Sequence, residues 1–302
     1  MDARDEALVR LGRMLREHAY EFTTITPESH RRVNARERDA VSLRDVFGWT
    51  RPFAREILAA EILEAMSAAG CVEGQEDALR SSVRFSTSGP LLFVHSAYPT
   101  TGSDAVFFGP DTYRYLALLR RLAPSAARAV DVGCGTGAGG LAIAIGCREL
   151  LLTDINETAL RFARINAAIN GIENVRIMKS DVLHDVDGEI DLVVSNPPYL
   201  IDDLARTYRD GGGRFGEALS VEIVRQAIDR LGYGGRLILY TASAIVAGRD
   251  SFRDSVAPIL SSAKLRTHYE EIDPDVFGEE LERPVYAEVD RIAVVALDVR
   301  KF

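Results

Sequence analysis

Lysine is almost absent from this 302-residue chain: Lys179, Lys264 and Lys301 are the only three, so nearly all of the positive charge is arginine. We read that bias as compositional rather than mechanistic. Cysteine is scarce too. Cys71, Cys134 and Cys147 are odd in number and lack metal-like spacing, which sets aside a disulfide framework and a zinc site and fits a reducing cytoplasm. No apolar run reaches the ~18 residues of a membrane span, and no charged start leading into an apolar stretch marks a signal peptide. An excess of basic charge is also missing. The 36 basic and 45 acidic side chains give a formal net charge of -9, which argues against a non-specific grip on nucleic acid or an anionic membrane. Neither a membrane nor a metal is therefore an expected partner.

What is present is a globular composition, 47% hydrophobic and 27% charged, with length for one large domain or two unequal ones. From about Ala129 onward, short apolar runs alternate with helical ones: RAVDVG, GLAIAIGC, ELLLTDI, ETALRFARINAAING, VRIMKSD, IDLVVSN, SVEIVRQAIDRLG and GRLILYT. That alternation predicts an α/β fold with a parallel sheet covered on both faces. The last runs, LRTHYEEI and RIAVVALDV, lack a helical crossover and are expected to pair antiparallel at the sheet edge. Asn156 and Glu157 suit a helix start, and Gly171 and Gly232 suit helix stops.

The first hundred residues read differently. Leu8, Leu11, Met14 and Leu15 recur at helical spacing, as do Phe53, Ile57, Leu58, Ile62, Leu63 and Met66 before Gly70. ALRSSVRFSTSGPLLFVHS reads as two strands around a turn at Ser88-Gly89-Pro90. Helices followed by a hairpin fit either a winged-helix-like docking module or a plain structural cap. We expect a smaller, mainly helical N-terminal domain over residues 1–104 and a second domain over 105–302.

Four motifs fall at the ends of predicted strands. VDVGCGTGAGG leaves a strand and enters a helix, and Gly133, Gly135 and Gly137 allow a tight turn with close approach to backbone N–H groups. Asp131 lies just before these glycines, placed to organise the loop or attract a cation. Twenty-one residues past Gly133, Asp154 ends the next strand, where a carboxylate reaches ribose hydroxyls. Asp181 ends the third strand, placed to accept from an adenine amine with Val182 against the ring. After IDLVV the chain turns into SNPPYL, a rigid polar corner that cannot continue a central strand, because proline has no N–H to give.

The ordered set Asp131-Val-Gly133-Cys-Gly135-Thr-Gly137, Asp154, Asp181 and Asn196-Pro197-Pro198-Tyr199 resembles class I S-adenosylmethionine-dependent methyltransferases carrying an NPPY motif. The resemblance covers roughly residues 105 to 300. It implies a Rossmann-like sheet of order 3-2-1-4-5-7-6 with strand 7 antiparallel. It also implies that S-adenosyl-L-methionine, leaving as S-adenosyl-L-homocysteine, is bound by Asp131, Gly133, Cys134, Gly135, Gly137, Asp154, Ile155, Asp181, Val182 and Asn196. Asn196, Pro197 and Tyr199 would carry the transfer. An amide or aromatic amine is a poor nucleophile because its lone pair is delocalised. Two oxygens of the corner, from Asn196 and from the Pro197 backbone, would orient that lone pair and favour the charge growing on it, with Tyr199 against its flat face. No base is required.

The overall plan is similar to the glutamine methyltransferases of release factors and a ribosomal protein, which also have a helical N-terminal domain and a Pro-Asp-Thr segment. Here that segment reads FFGPDTYRYLALL, with Phe108-Gly109-Pro110 where the family has an arginine between two prolines. The resemblance implies Phe108, Pro110, Pro198 and Tyr199 as acceptor contacts, while Asp111 or Thr112 reads independently as a helix N-cap. A protein glutamine is the expected acceptor. The amino group of an adenine or guanine base and a small molecule stay open, as does a binding protein without catalysis. Gly211, Gly212 and Gly213 beside Arg214 fit a mobile flap or a solvated linker, and the acidic insertion IDPDVFGEELERPVYAEVD lies at the substrate end of the sheet.

Overall fold

The structure, a computed structural model, describes every residue except 37, 38, 76, 77, 101 and 205. The N-terminal part comprises α1 (Ala3–Glu17), α2 (Pro27–Asn34), α3 (Leu43–Phe47) and α4 (Ala60–Ala69), the short pair β1 (Val72–Glu73) and β2 (Arg80–Ser81), and a hairpin of β3 (Val83–Ser88) and β4 (Leu91–Ser96). The hairpin turns at Gly89, whose φ of 60° is the left-handed conformation glycine tolerates. The helical pattern over residues 51–70 is α-helical only from Ala60, with a single 3-10 turn over Arg55–Ile57 before it. Upstream, Phe53 exchanges both backbone hydrogen bonds with Leu79, so its peptide groups are not free to join the helix. The short helices α2 and α3 carry little apolar periodicity and were not anticipated.

Next come α5 (Pro110–Leu122) and the sheet strands β5 (Ala126–Val132), β6 (Cys147–Asp154), β7 (Val175–Lys179), β8 (Ile190–Ser195), β9 (Leu231–Val246), β11 (Leu265–Asp273) and β12 (Arg291–Lys301), with the two-residue β10 (Arg249–Asp250) folded back on β9. Their order is β7-β6-β5-β8-β9-β12-β11, and β12 runs antiparallel to both neighbours. Numbered within the sheet this is 3-2-1-4-5-7-6, as expected. The helices α6 (Ala138–Ile143), α7 (Glu157–Asn170), α8 (Ala218–Arg230) and α9 (Ser251–Leu260) complete this part of the chain.

Two readings are corrected. Gly232 does not cap α8, because the chain passes from Arg230 directly into β9 at Leu231. The stretch GLAIAIGC is helical only to Ile143, followed by a 3-10 turn over 144–146, and Cys147 already belongs to β6. The helix α9 was not anticipated: Pro258 interrupts its pattern, and Asp250 starts it by accepting from the Arg253 N–H at 2.9 Å.

The helix α7 joins the two parts. Leu160, Ala163 and Ala167 face the sheet core, while Ala159, Phe162, Ile165 and Ile169 belong to the N-terminal core with Leu8, Leu11 and Leu15 of α1. Gly12 lets α1 approach closely, since a Cβ there would lie 2.5 Å from Ile169 Cδ1. Among the described residues, no helix is long and apolar enough to cross a membrane, and no group of three His, Cys, Asp or Glu side chains is placed to hold a metal ion.

Candidate functional site

The parallel strands end at one edge of the sheet, and a cleft opens there. It is lined by Asp131, Gly133, Cys134, Gly135, Asp154, Ile155, Asp181, Val182, Asn196, Pro197, Pro198 and Tyr199, residues that the sequence spreads over nearly seventy positions. Register explains the convergence. Asp131 lies opposite Leu152 of β6 and Val194 of β8, so the turns after these strands meet at one level.

Gly133 and Gly135 have φ of 64° and 53° and bare surfaces: an added Cβ at Gly133 would meet nothing within 4 Å, and at Gly135 only Val106 at 4.0 Å. A ligand can therefore approach this backbone closely. Gly137 does not line the cleft. It has φ of 78°, caps α6, and a Cβ there would press on Leu152 at 3.0 Å, so its role is tight helix–strand packing.

The acids are committed to the loop as well as to the cleft. Asp154 accepts from the N–H of Gly135 and of Asn156, both at 2.9 Å, and burial raises its carboxyl above the ordinary range against these donors. Asp131 is buried and accepts from the Gly140 N–H at 2.7 Å. Burial pushes its carboxyl up to about 7, the Gly140 N–H opposing and the negative charge of Asp154 adding to the rise. Asp181 is exposed to the cleft.

Asn196 is half-buried, and its Oδ1 is a buried oxygen with no hydrogen-bond partner among the described residues. Such an acceptor costs about 1–3 kcal/mol unless a donor arrives. The corner carrying it is tightly held. Ser195 Oγ donates to the Val132 carbonyl at 2.7 Å, and residues 210–216 fold back on the corner, with the Gly211 N–H donating to the Leu200 carbonyl at 2.8 Å. A Cβ at Gly211 would lie 2.6 Å from the Pro198 carbonyl oxygen, and one at Gly216 would lie 2.3 Å from that of Tyr199. Gly211 and Gly216 thus clamp the corner, where the sequence suggested a flap or a linker over 211–213.

Asp111 is a residue whose role sequence reasoning missed. It is not the N-cap of α5: Gly109 is, its N–H donating to Thr112 Oγ1 at 3.2 Å. The buried Asp111 carboxylate instead accepts from the hydroxyls of Tyr199 at 2.5 Å and Tyr240 at 3.1 Å, with Arg114 at 3.3 Å. Arg114 in turn pairs with Asp273 at 3.0 Å. Burial raises the Asp111 carboxyl, and its hydrogen bonds with Tyr199, Arg114 and Tyr240 oppose the rise.

Phe108 and Pro110 do not line the cleft. Phe108 is buried against Phe93, His95 and Tyr113, with ring centroids 5.3 Å away in each case. Its neighbour Phe107 lines the cleft in its place, stacked on Tyr208 at 6.0 Å and 11°. Phe277 from the acidic insertion also lines it, with a left-handed φ of 55° and its ring 6.1 Å from Tyr199. Tyr115 reaches it from α5 with a buried hydroxyl that has no partner among the described residues. No spacing signal marks these residues, because they come from irregular segments or from helix faces that also read as core.

Comparison with known proteins places these features in context. Residues 115–249 match the methyltransferase small domain family. The release factor glutamine methyltransferase of Deinococcus radiodurans is 35% identical over 160 residues, covering 51% of this chain and 55% of that protein. The ribosomal RNA small subunit methyltransferase C of Serratia proteamaculans is 33% identical over 112 residues, 36% of this chain and 29% of that one. The chain thus spans about half, or less, of the length of these curated relatives. Among solved structures, a putative transferase from Pyrococcus horikoshii has the same fold, with a TM-score of 0.53 at 14% identity over 91% of this chain and 98% of that one.

Proposed function

We propose, from the match of residues 115–249 to the methyltransferase small domain family and from the strand order of the sheet, that the protein moves the methyl group of S-adenosylmethionine to a planar nitrogen, that of a protein glutamine side chain. The observation that carries this reading is Asn196, which lines the cleft and whose Oδ1 has no partner among the described residues. An acceptor amide supplies the missing donor. The cofactor also fits what is present: a glycine loop bare on its cleft side, and Asp154 at the end of β6 for the ribose.

The cofactor supplies an already activated methyl group on a sulfonium sulfur, so the work left to this chain is positioning. Asn196 accepts from the incoming N–H, turning the nitrogen lone pair toward the methyl and favouring the positive charge that develops there. The Pro197 carbonyl is the second acceptor. Tyr199 presents a face to the flat acceptor, and Asp111 fixes that ring through its hydroxyl. The proton lost from nitrogen leaves to water, so no general base is assigned.

The release-factor relative and the net charge of -9 favour a protein acceptor. The ribosomal RNA relative favours the second reading, a base amino group. The test is transfer from tritiated S-adenosylmethionine in a lysate of the host lacking this gene, followed by digestion. Label released by protease supports the glutamine reading, label released only by nuclease replaces it with the second, and label in neither directs the search to small molecules.

Asp131 gives this reading a pH dependence. In the empty cleft its raised carboxyl is protonated below about pH 7. The stability it contributes is fully present below the ordinary ~4 and is lost as pH rises through about 7. We place the cofactor's ammonium against it, which requires the ionised form. Affinity for S-adenosylhomocysteine should then fall as pH drops from 7 toward 5, approaching tenfold per pH unit for a single proton. Calorimetric titration checks this, and an affinity flat across that range would remove the ammonium from Asp131.

A further inference from the structure

We propose that Asn166 is a positioning residue for the cofactor loop, anchoring it to the N-terminal hairpin; this rests on the reading that the cleft takes S-adenosylmethionine. Asn166 is fully buried on α7, and its amide is nearly used up by two different parts of the fold. Its Oδ1 accepts from the Val94 N–H at 2.7 Å, and its Nδ2 donates to the Val94 carbonyl at 3.0 Å and to the Thr136 carbonyl at 2.9 Å. Val94 is on β4 of the hairpin. Thr136 is the residue between Gly135 and Gly137, in the turn that the cofactor would approach.

One helical turn later, Asn170 repeats the hairpin half of this arrangement. It accepts from the Leu92 N–H at 3.0 Å and donates to the Leu92 carbonyl at 2.8 Å. The spacing is geometric. Four residues of helix rise about 6 Å, and two residues of strand span about 6.6 Å, so amides at i and i+4 on α7 meet alternate residues along the edge of β4. Asn170, however, gives its other N–H to the Asn166 carbonyl in its own helix at 2.8 Å, not to the loop.

The loop needs such an anchor. Gly133, Gly135 and Gly137 all have positive φ and little intrinsic preference for this conformation. The Gly140 N–H is turned to Asp131 instead of back toward Thr136. Asn166 therefore holds a carbonyl in a turn built of permissive residues, and ties it to a hairpin from the other part of the chain.

The two asparagines provide the test and its control. S-adenosylhomocysteine is titrated into wild type, Asn166→Ala and Asn170→Ala, with thermal denaturation run alongside. Both variants should lose comparable stability, since each gives up two bonds to β4. Only Asn166→Ala should lose affinity, by about tenfold, with Asn170→Ala within about twofold of wild type. Amide exchange at Gly135–Ala138 in the empty protein should quicken in Asn166→Ala and stay unchanged in Asn170→Ala. Wild-type affinity in a folded Asn166→Ala protein, or an equal loss in Asn170→Ala, overturns the proposal. Should the alanine variant not fold, Asn166→Ser, too short to span loop and strand together, replaces it. Failure of wild type to bind would sink the cofactor reading itself, and the exchange measurement, which uses no ligand, still decides the role of Asn166.

Discussion

Asn196→Ala should lower methyl transfer by on the order of 100-fold or more while leaving affinity for S-adenosylhomocysteine within about threefold of wild type. The split follows from where Asn196 sits. Its Oδ1 has no partner among the described residues, so removing it breaks none of their bonds and costs the fold little. What it removes is an oriented acceptor for charge that grows on the reacting nitrogen, and losing one group of that kind typically costs about 10²–10³ in rate. The corner around it should persist, because Gly211 and Gly216 pack on the backbone of Pro198 and Tyr199 whatever the side chain at 196. Full turnover by the variant with the same acceptor would remove Asn196 from the mechanism. A matched loss of cofactor affinity would assign it to binding instead.

The second large effect is on the cofactor side. Asp154→Ala should weaken S-adenosylhomocysteine binding by roughly 100-fold, since the variant loses the ribose contact and also orphans the N–H groups of Gly135 and Asn156. Asp154→Asn separates these contributions. It keeps the shape and one good acceptor but not the charge, so its loss should be nearer tenfold, with most of the stability retained. Unchanged affinity in the alanine variant, measured by calorimetry on folded protein, would place the cofactor elsewhere.

The sheet was legible because its signals are local and repeated. Each strand is a short apolar run, each is followed by a helical pattern or a turn, and the polar residues that line the cleft stand where an apolar run stops. Asp154, Asp181 and Asn196 follow that grammar, Asp131 lies one residue earlier, inside β5, and the structure brings all four to one cleft. The residues that were not legible depend on where irregular backbone points. Phe107 and Phe108 are identical and adjacent, yet one faces the cleft and the other the core, and nothing in FFGPDT distinguishes them. Asp111 read as a cap because an acid in a first helical turn is favourable for that reason alone. Its partners Tyr199 and Tyr240 are 88 and 129 residues away, a separation that one sequence cannot bridge. The glycines at 211–213 suggested motion because glycine permits it. Here Gly211, with Gly216 beyond it, permits close contact with the corner, which the same residue serves equally well.

The N-terminal part was harder still. Its apolar stripes correctly marked Leu8, Leu11 and Leu15 as core. The surface that receives them is the outer face of α7, whose second apolar stripe is hidden by its first: Phe162, Ile165 and Ile169 are as apolar as the residues that face the sheet. Asn166 and Asn170, polar residues at positions where a helix packed on both sides should be apolar, meet the backbone edge of β4 there.

The measurement that tests the central claim most directly is a calorimetric titration of the wild-type protein with S-adenosylhomocysteine at pH 7.5. The account predicts saturable binding of one molecule per chain. Absence of binding by folded protein at millimolar ligand would contradict it, and the cleft at the end of the sheet would then need a different occupant.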